Sequence, residues 1–109
     1  MDEISKASYE EFDWHDEKRK TNINKHKIDF VDATRDIFPF IHVIIPARKE
    51  GDEQRYKAIG ESNGNIITVI FTERNEGRLC WVISARRARK GEKDEYINII
   101  RNGQQKEKT

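Results

Sequence analysis

The chain has 109 residues, of which 35% are apolar and 38% are charged, and its formal net charge is +1. This length and composition predict a single domain with one modest core and a strongly ionic surface. The near-neutral net charge does not by itself indicate a polyanionic partner, so affinity for nucleic acid would have to come from uneven placement of cations.

Cysteine usage and hydropathy exclude further classes of protein. A single cysteine, Cys80, excludes an intrachain disulfide and a multi-cysteine zinc site. No apolar run approaches the ~20 residues of a membrane span, and the N-terminus carries no apolar signal segment. We therefore expect no membrane association and a cytoplasmic location.

The first part of the chain predicts a polar leader, an edge strand and a polar helix. Residues 1–9 are polar with little pattern and are interpreted as the leader. Phe12 and Trp14 alternate with a polar residue, as in a short edge strand. A first helix is expected to begin at His15 or Asp16 and to run to about residue 26, with acidic residues in its first turn.

A second helix and four strands follow in the pattern. Apolar residues recur at helical spacing from Phe30, and Pro39 ends this helix because the residue before a proline avoids helical geometry. The period then changes to that of strands, and Asn63-Gly64 predicts a tight hairpin. The four strands are expected at residues 40–45, 54–61, 66–72 and 79–85.

The last predicted strand and the basic segment after it are the part of the chain on which the functional prediction depends most. Residues 79–85 are apolar on both parities, which is typical of a central strand covered on both faces, and Cys80 is interpreted as part of the core rather than as a nucleophile. A cluster of cations follows immediately and is expected to lie at one rim of the sheet. Its members are Arg86, Arg87, Arg89 and Lys90.

A third helix is expected over residues 90–100, before a charged tail at residues 101–109. Two helices, four consecutive strands and a last helix indicate an α+β domain over residues 10–100 with a four-stranded antiparallel meander. The sequence contains no phosphate-binding glycine loop, no paired zinc-ligand spacing and no nucleophile signature. We therefore predict no cofactor and no metal.

An ordered set of residues resembles the BrnT family of bacterial type II toxins over residues 10–97. The set comprises Phe12-Asp13-Trp14, Asn22, Lys25-His26, Phe30, Ala33, Arg55, Gly60, Ile83-Ser84-Ala85-Arg86-Arg87-Ala88, Glu92 and Tyr96. The chain departs from the family's usual pattern at His15, Lys27 and Gly91.

The resemblance implies a RelE-like ribonuclease fold and arrest of growth by RNA cleavage. It also implies neutralisation by a BrnA-type antitoxin that carries a ribbon-helix-helix DNA-binding region. Operator DNA would be bound only through the antitoxin, in a heterotetramer of two toxins joined by an antitoxin dimer.

Metal-independent RNA cleavage selects particular residue types. The 2′-hydroxyl must be helped to attack phosphorus, the charge on the phosphoryl oxygens must be stabilised, and the departing 5′-oxygen must be protonated. Arginine suits the second task because its planar fork matches two phosphate oxygens. Histidine suits proton transfer because its pKa lies near neutral pH.

Arg86 is the leading candidate for an electrostatic clamp, and a plain surface arginine is the alternative. Arg55, on the polar face of a neighbouring strand, is expected to reach the same phosphate or to form a salt bridge with a carboxylate such as Glu53. His26, beside Lys25 at the end of the first helix, is expected to be a charged imidazolium and general acid, or else a helix cap.

The remaining candidates are weaker. Tyr96 is expected to stack on a base or orient phosphate, or else to pack the last helix. Glu53 is a weaker candidate for the base, and Arg87, Arg89 and Lys90 are expected to bind substrate. His15 and His42 are interpreted as surface residues.

The favoured reading is a metal-independent endoribonuclease toxin that is held inactive by a partner. Two alternatives stay open: a non-catalytic module of the same fold that binds RNA or a partner, and a degenerate toxin that survives as a platform for the antitoxin. The endoribonuclease reading requires the side chains of Arg55 and Arg86 to meet at one shared concave surface.

Overall fold

The computed structural model describes residues 3–5 and 9–108, with side chains described for residues 9–103. Two strands, two helices, four strands and a last helix follow one another along it. In chain order they are β1 (Glu3–Ser5), β2 (Glu11–Trp14), α1 (Asp16–His26), α2 (Phe30–Ile37), β3 (His42–Pro46), β4 (Arg55–Ser62), β5 (Asn65–Arg74), β6 (Leu79–Arg87) and α3 (Lys90–Lys108). Among the described residues, no helix is both long and apolar enough to cross a membrane.

One mixed sheet holds all six strands, in the order β1-β3-β4-β5-β6-β2. Its centre, β3 to β6, is the antiparallel meander that the sequence predicts, and the α+β class is confirmed. The prediction of a four-stranded antiparallel sheet was incomplete, because β1 pairs antiparallel with β3 and β2 pairs parallel with β6. The last strand is therefore one place in from the edge rather than in the middle.

Local signals account for several element ends. Asn63 and Gly64 both have positive φ, as the tight hairpin between β4 and β5 requires. Asp29 caps α2 by accepting a hydrogen bond from Val31 N–H at 3.0 Å. The third helix continues to Lys108, through most of the segment expected to be a charged tail.

Two apolar clusters lie on opposite faces of the sheet. The larger one packs α2 against β4, β5 and β6 around Phe30, Ile37, Phe71 and Val82, and Cys80 lies within it with no exposed surface. The smaller one joins α3 to β3 and β4 through Val43, Ile45, Ile59 and Tyr96. The described helices thus cover one face broadly and the other face only at its β3–β4 end.

His42 corrects one expectation from the sequence. It was interpreted as a surface residue, but its side chain is fully buried and its ring packs edge-on against Phe38 at 5.0 Å. Nδ1 lies 2.8 Å from the carbonyl oxygen of Phe40, and burial lowers the pKa of this imidazole. Phe38, just after α2, and strand β3 enclose the side chain. The apolar neighbours Ile41 and Val43 are typical of a buried strand, but histidine is a residue of intermediate burial and its polarity suggested the surface.

Candidate functional site

An open, basic cleft of about 580 Å³ lies on the sheet face that the described helices cover least. Arg55 and Lys57 reach it from β4, Arg86 from the end of β6, and Arg89 from the loop before α3. The full lining is Pro46, Ala47, Arg48, Glu50, Arg55, Lys57, Ile70, Arg86 and Arg89. Five cations against one carboxylate in this lining make the cleft strongly positive in a chain whose net charge is only +1.

Strand register explains why these cations share a face. Arg55 pairs with Thr72, Lys57 with Ile70, and Thr68 with Arg86 across β4, β5 and β6. Residues two apart on a strand, and residues directly paired across strands, point to the same side of a sheet. Arg55 and Arg86 therefore project to one side, the arrangement that a shared phosphate site requires.

A bulge in β6 is necessary for that arrangement. Phe71 pairs with Val82, but the next residue back on β5, Ile70, pairs with Ser84, so Ile83 is an extra residue in the ladder. Without it, Arg86 would have the parity of Val82 and would point into the helix-covered core. The extra residue turns Arg86 to the open face and returns Ala85 to the core.

Glu92, in the first turn of α3, holds two of the cleft cations in place. Arg86 donates to both of its carboxylate oxygens, at 2.8 and 2.9 Å, and Lys57 Nζ lies 2.9 Å from Oε2. The Thr68 hydroxyl and the backbone N–H of Arg89 donate to Oε1 at 3.0 and 2.8 Å. The last of these bonds is half of a capping box, so the same carboxylate also fixes the start of the helix.

Electrostatics at Glu92 follow from these contacts. Burial alone would raise the pKa of Glu92, but the bonds from Arg86, Arg89 N–H, Lys57 and Thr68 outweigh it and keep the pKa below its usual range. The carboxylate is ionised and the Arg86 side chain is only 13% exposed. Arg86 is thus a partly buried, paired arginine at the base of the cleft, while Arg89 is exposed to a ligand.

Arg55 also borders a second groove, of about 630 Å³, between α1 and the open face. Its Nε lies 3.4 Å from Glu53 Oε1, and the Arg74 guanidinium reaches the same carboxylate at 3.9 Å. Arg74 Cζ also lies 4.1 Å from the ring centroid of Trp81. The salt bridge expected for Arg55 is therefore present, and the residue also lines the cleft with Arg86, while its contact with phosphate stays a prediction.

His26 lies in a different place from the basic cleft. It lines a cleft of about 400 Å³ on the helix side of the sheet, together with Arg87. Partial burial and the charges of Lys25 and Arg86 lower the pKa of His26. These effects oppose the helix dipole, which was expected to favour the imidazolium, and the role of His26 as general acid or helix cap stays a prediction.

The other candidates are dispersed. Tyr96 is 8% exposed and belongs to the smaller apolar cluster, where burial raises its pKa. Lys90 is exposed and pairs with Asp94 at 3.0 Å. Lys25 is exposed at the end of α1, and Arg87 projects to the face opposite Arg86. None of these four side chains lines the basic cleft.

Asn22 is a positioning residue for the end of β6. Beyond Trp14, where β2 ends, its amide pairs with Ala85 as a strand would: Nδ2 donates to Ala85 O at 2.8 Å and Oδ1 accepts from Ala85 N–H at 3.1 Å. Nδ2 also donates to Ile28 O at 2.8 Å. These bonds fix the backbone just before Arg86, a role that helical spacing on a polar helix did not indicate.

Sequence reasoning missed several residues of the cleft. Lys57 received no role, and Arg48 carried no signal. The position of Glu92 in the first turn of a helix could have indicated a cap, but not a contact to β4. Within the described part of the chain, no group of three or more His, Cys, Asp or Glu side chains is placed to hold a metal ion.

Comparison with protein-family models identifies the family of this chain. A family model described as "Ribonuclease toxin, BrnT, of type II toxin-antitoxin system" matches residues 14–92. The matched range contains every residue that lines the basic cleft, as well as Asn22, Trp81 and Glu92. Among curated proteins, none matches this chain.

Proposed function

The chain belongs to the BrnT family of ribonuclease toxins of type II toxin–antitoxin systems, and from that premise we propose that the basic cleft is its RNA-cleaving site and acts without a metal. Convergence of Arg55 and Arg86 on one cleft, from strands separated by β5, supports the proposal most directly. Exposed Arg89 can form forked contacts with phosphate oxygens, and half-exposed Arg55 can do so with the nitrogens that do not face Glu53.

Each step of the reaction has a candidate group beside the cleft. The Glu53 carboxylate, next to Arg55, accepts the proton of the 2′-hydroxyl as that oxygen attacks the adjacent phosphorus. The bond from phosphorus to the 5′-oxygen breaks, and the Lys57 ammonium protonates the departing oxygen, since arginine does not release a proton. The products are a cyclic 2′,3′-phosphate and a 5′-hydroxyl.

In this scheme Arg86, at the base of the cleft, stabilises the negative charge of the phosphate. Its guanidinium is preorganised by Glu92, so its charge needs no reorganisation as negative charge develops on the phosphoryl oxygens. His26, Lys25 and Tyr96 receive no direct role, because none of them lines the cleft. Arg48 and Arg89 would bind the flanking phosphates.

An EDTA-treated cleavage assay tests the enzyme and its lack of metal together. Purified protein with single-stranded RNA in EDTA should generate new RNA ends. Arg55→Ala should slow cleavage by about 10²-fold, the typical effect of removing one preorganised donor of charge stabilisation. Arg35→Ala is the matched control, because this arginine is 64% exposed, pairs with Asp32 and Asp36 on α2, and should leave the rate unchanged.

Arg86→Ala is a poor probe of the chemical step. It would leave the buried Glu92 carboxylate without its arginine partner, so stability would fall together with activity. Cleavage that requires added divalent metal would overturn the metal-independent mechanism. Equal rates for the parent and Arg55→Ala would overturn the assignment of the cleft.

The partner follows from the family. A type II toxin implies an antitoxin, and we propose a BrnA-type antitoxin that binds the toxin in the cytoplasm as a heterotetramer and alone contacts operator DNA. Expression of the chain should arrest growth, and co-expression of the adjacent open reading frame should restore it.

One observation favours a second candidate, a non-catalytic module that binds RNA or a partner. Three of the five cleft cations, Arg55, Lys57 and Arg86, already have a carboxylate partner. Such a module would bind RNA with an affinity that falls as salt rises, yet it would produce no new RNA ends.

A further inference from the structure

We propose that Trp81 is a stacking site for a nucleobase of the RNA, next to the basic cleft, which deepens the proposed function by adding a base-binding subsite. Trp81 lies on β6, in the groove bounded by α1. Its ring is half-buried and on the open face of the sheet, where α3 does not reach: that helix packs against β1, β3 and β4.

Register links this ring directly to the basic cleft. Thr72 of β5 pairs with Arg55 on one side and with Trp81 on the other, so the three residues form one row across the sheet. With strands about 4.8 Å apart, the Arg55 and Trp81 backbones are roughly 10 Å from each other. Arg55 lines both the cleft and the groove, so one short RNA segment can place a phosphate at Arg55 and a base at Trp81.

Arg74 already shows that the ring accepts a flat, cationic group. Its guanidinium carbon lies 4.1 Å from the ring centroid, and its side chain is 46% exposed. A contact of this kind at an exposed site is weaker than stacking of a base on an aromatic ring. A base can therefore displace the Arg74 guanidinium, which remains near Glu53 and available to a phosphate.

Charge favours RNA over a protein strand as the occupant. Lys18, Arg55 and Arg74 line the groove together with the ring. They outnumber the carboxylates of the groove, Glu17 and Glu53, and the basic cleft continues beyond Arg55. An aromatic side chain flanked by cations that track a backbone is the arrangement by which proteins hold single-stranded nucleic acid. The bulged Ile83 extends the apolar floor beside the ring.

Fluorescence gives a direct test. Trp14 packs against Phe30 at 5.8 Å on the helix side, so a Trp14→Phe background leaves Trp81 as the single reporter. The probe is a single-stranded oligonucleotide with 2′-O-methyl riboses, which lacks the attacking hydroxyl. Its partner is an abasic oligomer of the same length and charge.

Stacking predicts that the base-bearing oligomer quenches Trp81 and binds more tightly than the abasic one. Trp81→Leu should weaken binding of the base-bearing oligomer by about 5- to 100-fold and leave abasic binding unchanged. Trp81→Phe should restore most of the affinity. Phe40→Leu, which removes an exposed aromatic side chain outside the groove, should have no effect.

Equal binding of the two oligomers, or a Trp81→Leu variant with parental affinity, would overturn the subsite. A Trp81→Leu variant that loses the antitoxin but keeps its preference for bases would assign this surface to the protein partner instead. Cleavage of unmodified RNA without base-dependent binding would refute the base-binding subsite and leave the nuclease mechanism intact. Base-dependent binding without cleavage would refute the nuclease mechanism and leave the subsite intact.

Discussion

Glu92→Gln is the sharpest probe of how the basic cleft is held together. The substitution keeps the size of the side chain and removes its charge. Glu92 is 7% exposed and accepts from Arg86, Lys57, Thr68 and the backbone of Arg89. A glutamine turns one acceptor oxygen into a donor, so at least one of the facing N–H groups loses its partner.

The magnitude follows from burial. Arg86 is 13% exposed and Lys57 is 28% exposed, and both would lose their countercharge inside the structure. Removing one partner of a buried ion pair costs about 3–5 kcal/mol, against a total stability of about 5–15 kcal/mol for a small domain. We expect the free energy of unfolding to fall by about 3 kcal/mol or more.

Urea unfolding, followed by tryptophan fluorescence and circular dichroism, measures this loss. Asp94→Asn is the matched control, because it makes the same chemical change two residues further along α3. The Lys90–Asp94 pair has side chains that are 91% and 59% exposed, so its loss should cost no more than about 0.5 kcal/mol. A Glu92→Gln variant as stable as this control would refute the claim that Glu92 anchors the cleft.

Acid provides an independent check of the same contact. The pKa of Glu92 is lower in the folded protein than in the unfolded chain, so its contribution to stability is present above the unfolded pKa and disappears as pH falls through the folded one. The difference in stability between the parent and Glu92→Gln should therefore be full at pH 7 and should shrink below roughly pH 4. A difference that stays constant down to strong acid would contradict the ionised state assigned to Glu92.

Three further predictions follow from the fold. Asn22→Ala should lower the free energy of unfolding by about 1–3 kcal/mol, because backbone groups of Ala85 and Ile28 lose their partner. Asn24→Ala, on the exposed side of α1, should be nearly neutral, and urea unfolding of both variants checks this. Gly60→Ala should lower the free energy of unfolding by about 1–3 kcal/mol, because the new Cβ would lie 3.1 Å from Ile37 Cγ2 and 3.3 Å from His42 Cβ. Gly91→Ala, whose Cβ would have nothing within 4 Å, should be neutral or up to about 1 kcal/mol stabilising in the same assay. Burial raises the pKa of the Cys80 thiol, so a disulfide reagent should react with it only after urea unfolds the chain, and fast reaction of the native protein would contradict its place in the core.

Local periodicity was sufficient to predict most of the elements. The two helices before the meander, the Asn63-Gly64 hairpin and the four central strands all lie near their expected positions, because each depends on spacing within a short window. Strand β2 was also expected from the alternation of Phe12 and Trp14. Its parallel pairing with β6 was not, since no local pattern determines the partner of an edge strand.

The site was only partly predictable, for a physical reason that β6 illustrates. Its apolar residues on both parities indicated burial on both faces, but Ala85 reaches the core only because of the bulge, and the ring of Trp81 faces an uncovered groove. The cluster around Glu92 could not be read from spacing, because Lys57 and Thr68, which contact Glu92 together with Arg86, come from strands far from it in sequence. Residue type indicated phosphate chemistry, while tertiary packing decided which cations share a surface.

The contact between Asn22 and Ala85 has a consequence for how a partner binds. An exposed sheet edge invites an extended peptide to add itself as another strand, with main-chain hydrogen bonds supplying the affinity. At Ala85 the two backbone groups that such a peptide would need are already taken by a side-chain amide. A protein that neutralises this toxin at the end of β6 must therefore recognise side chains there, so its specificity would rest on shape and charge.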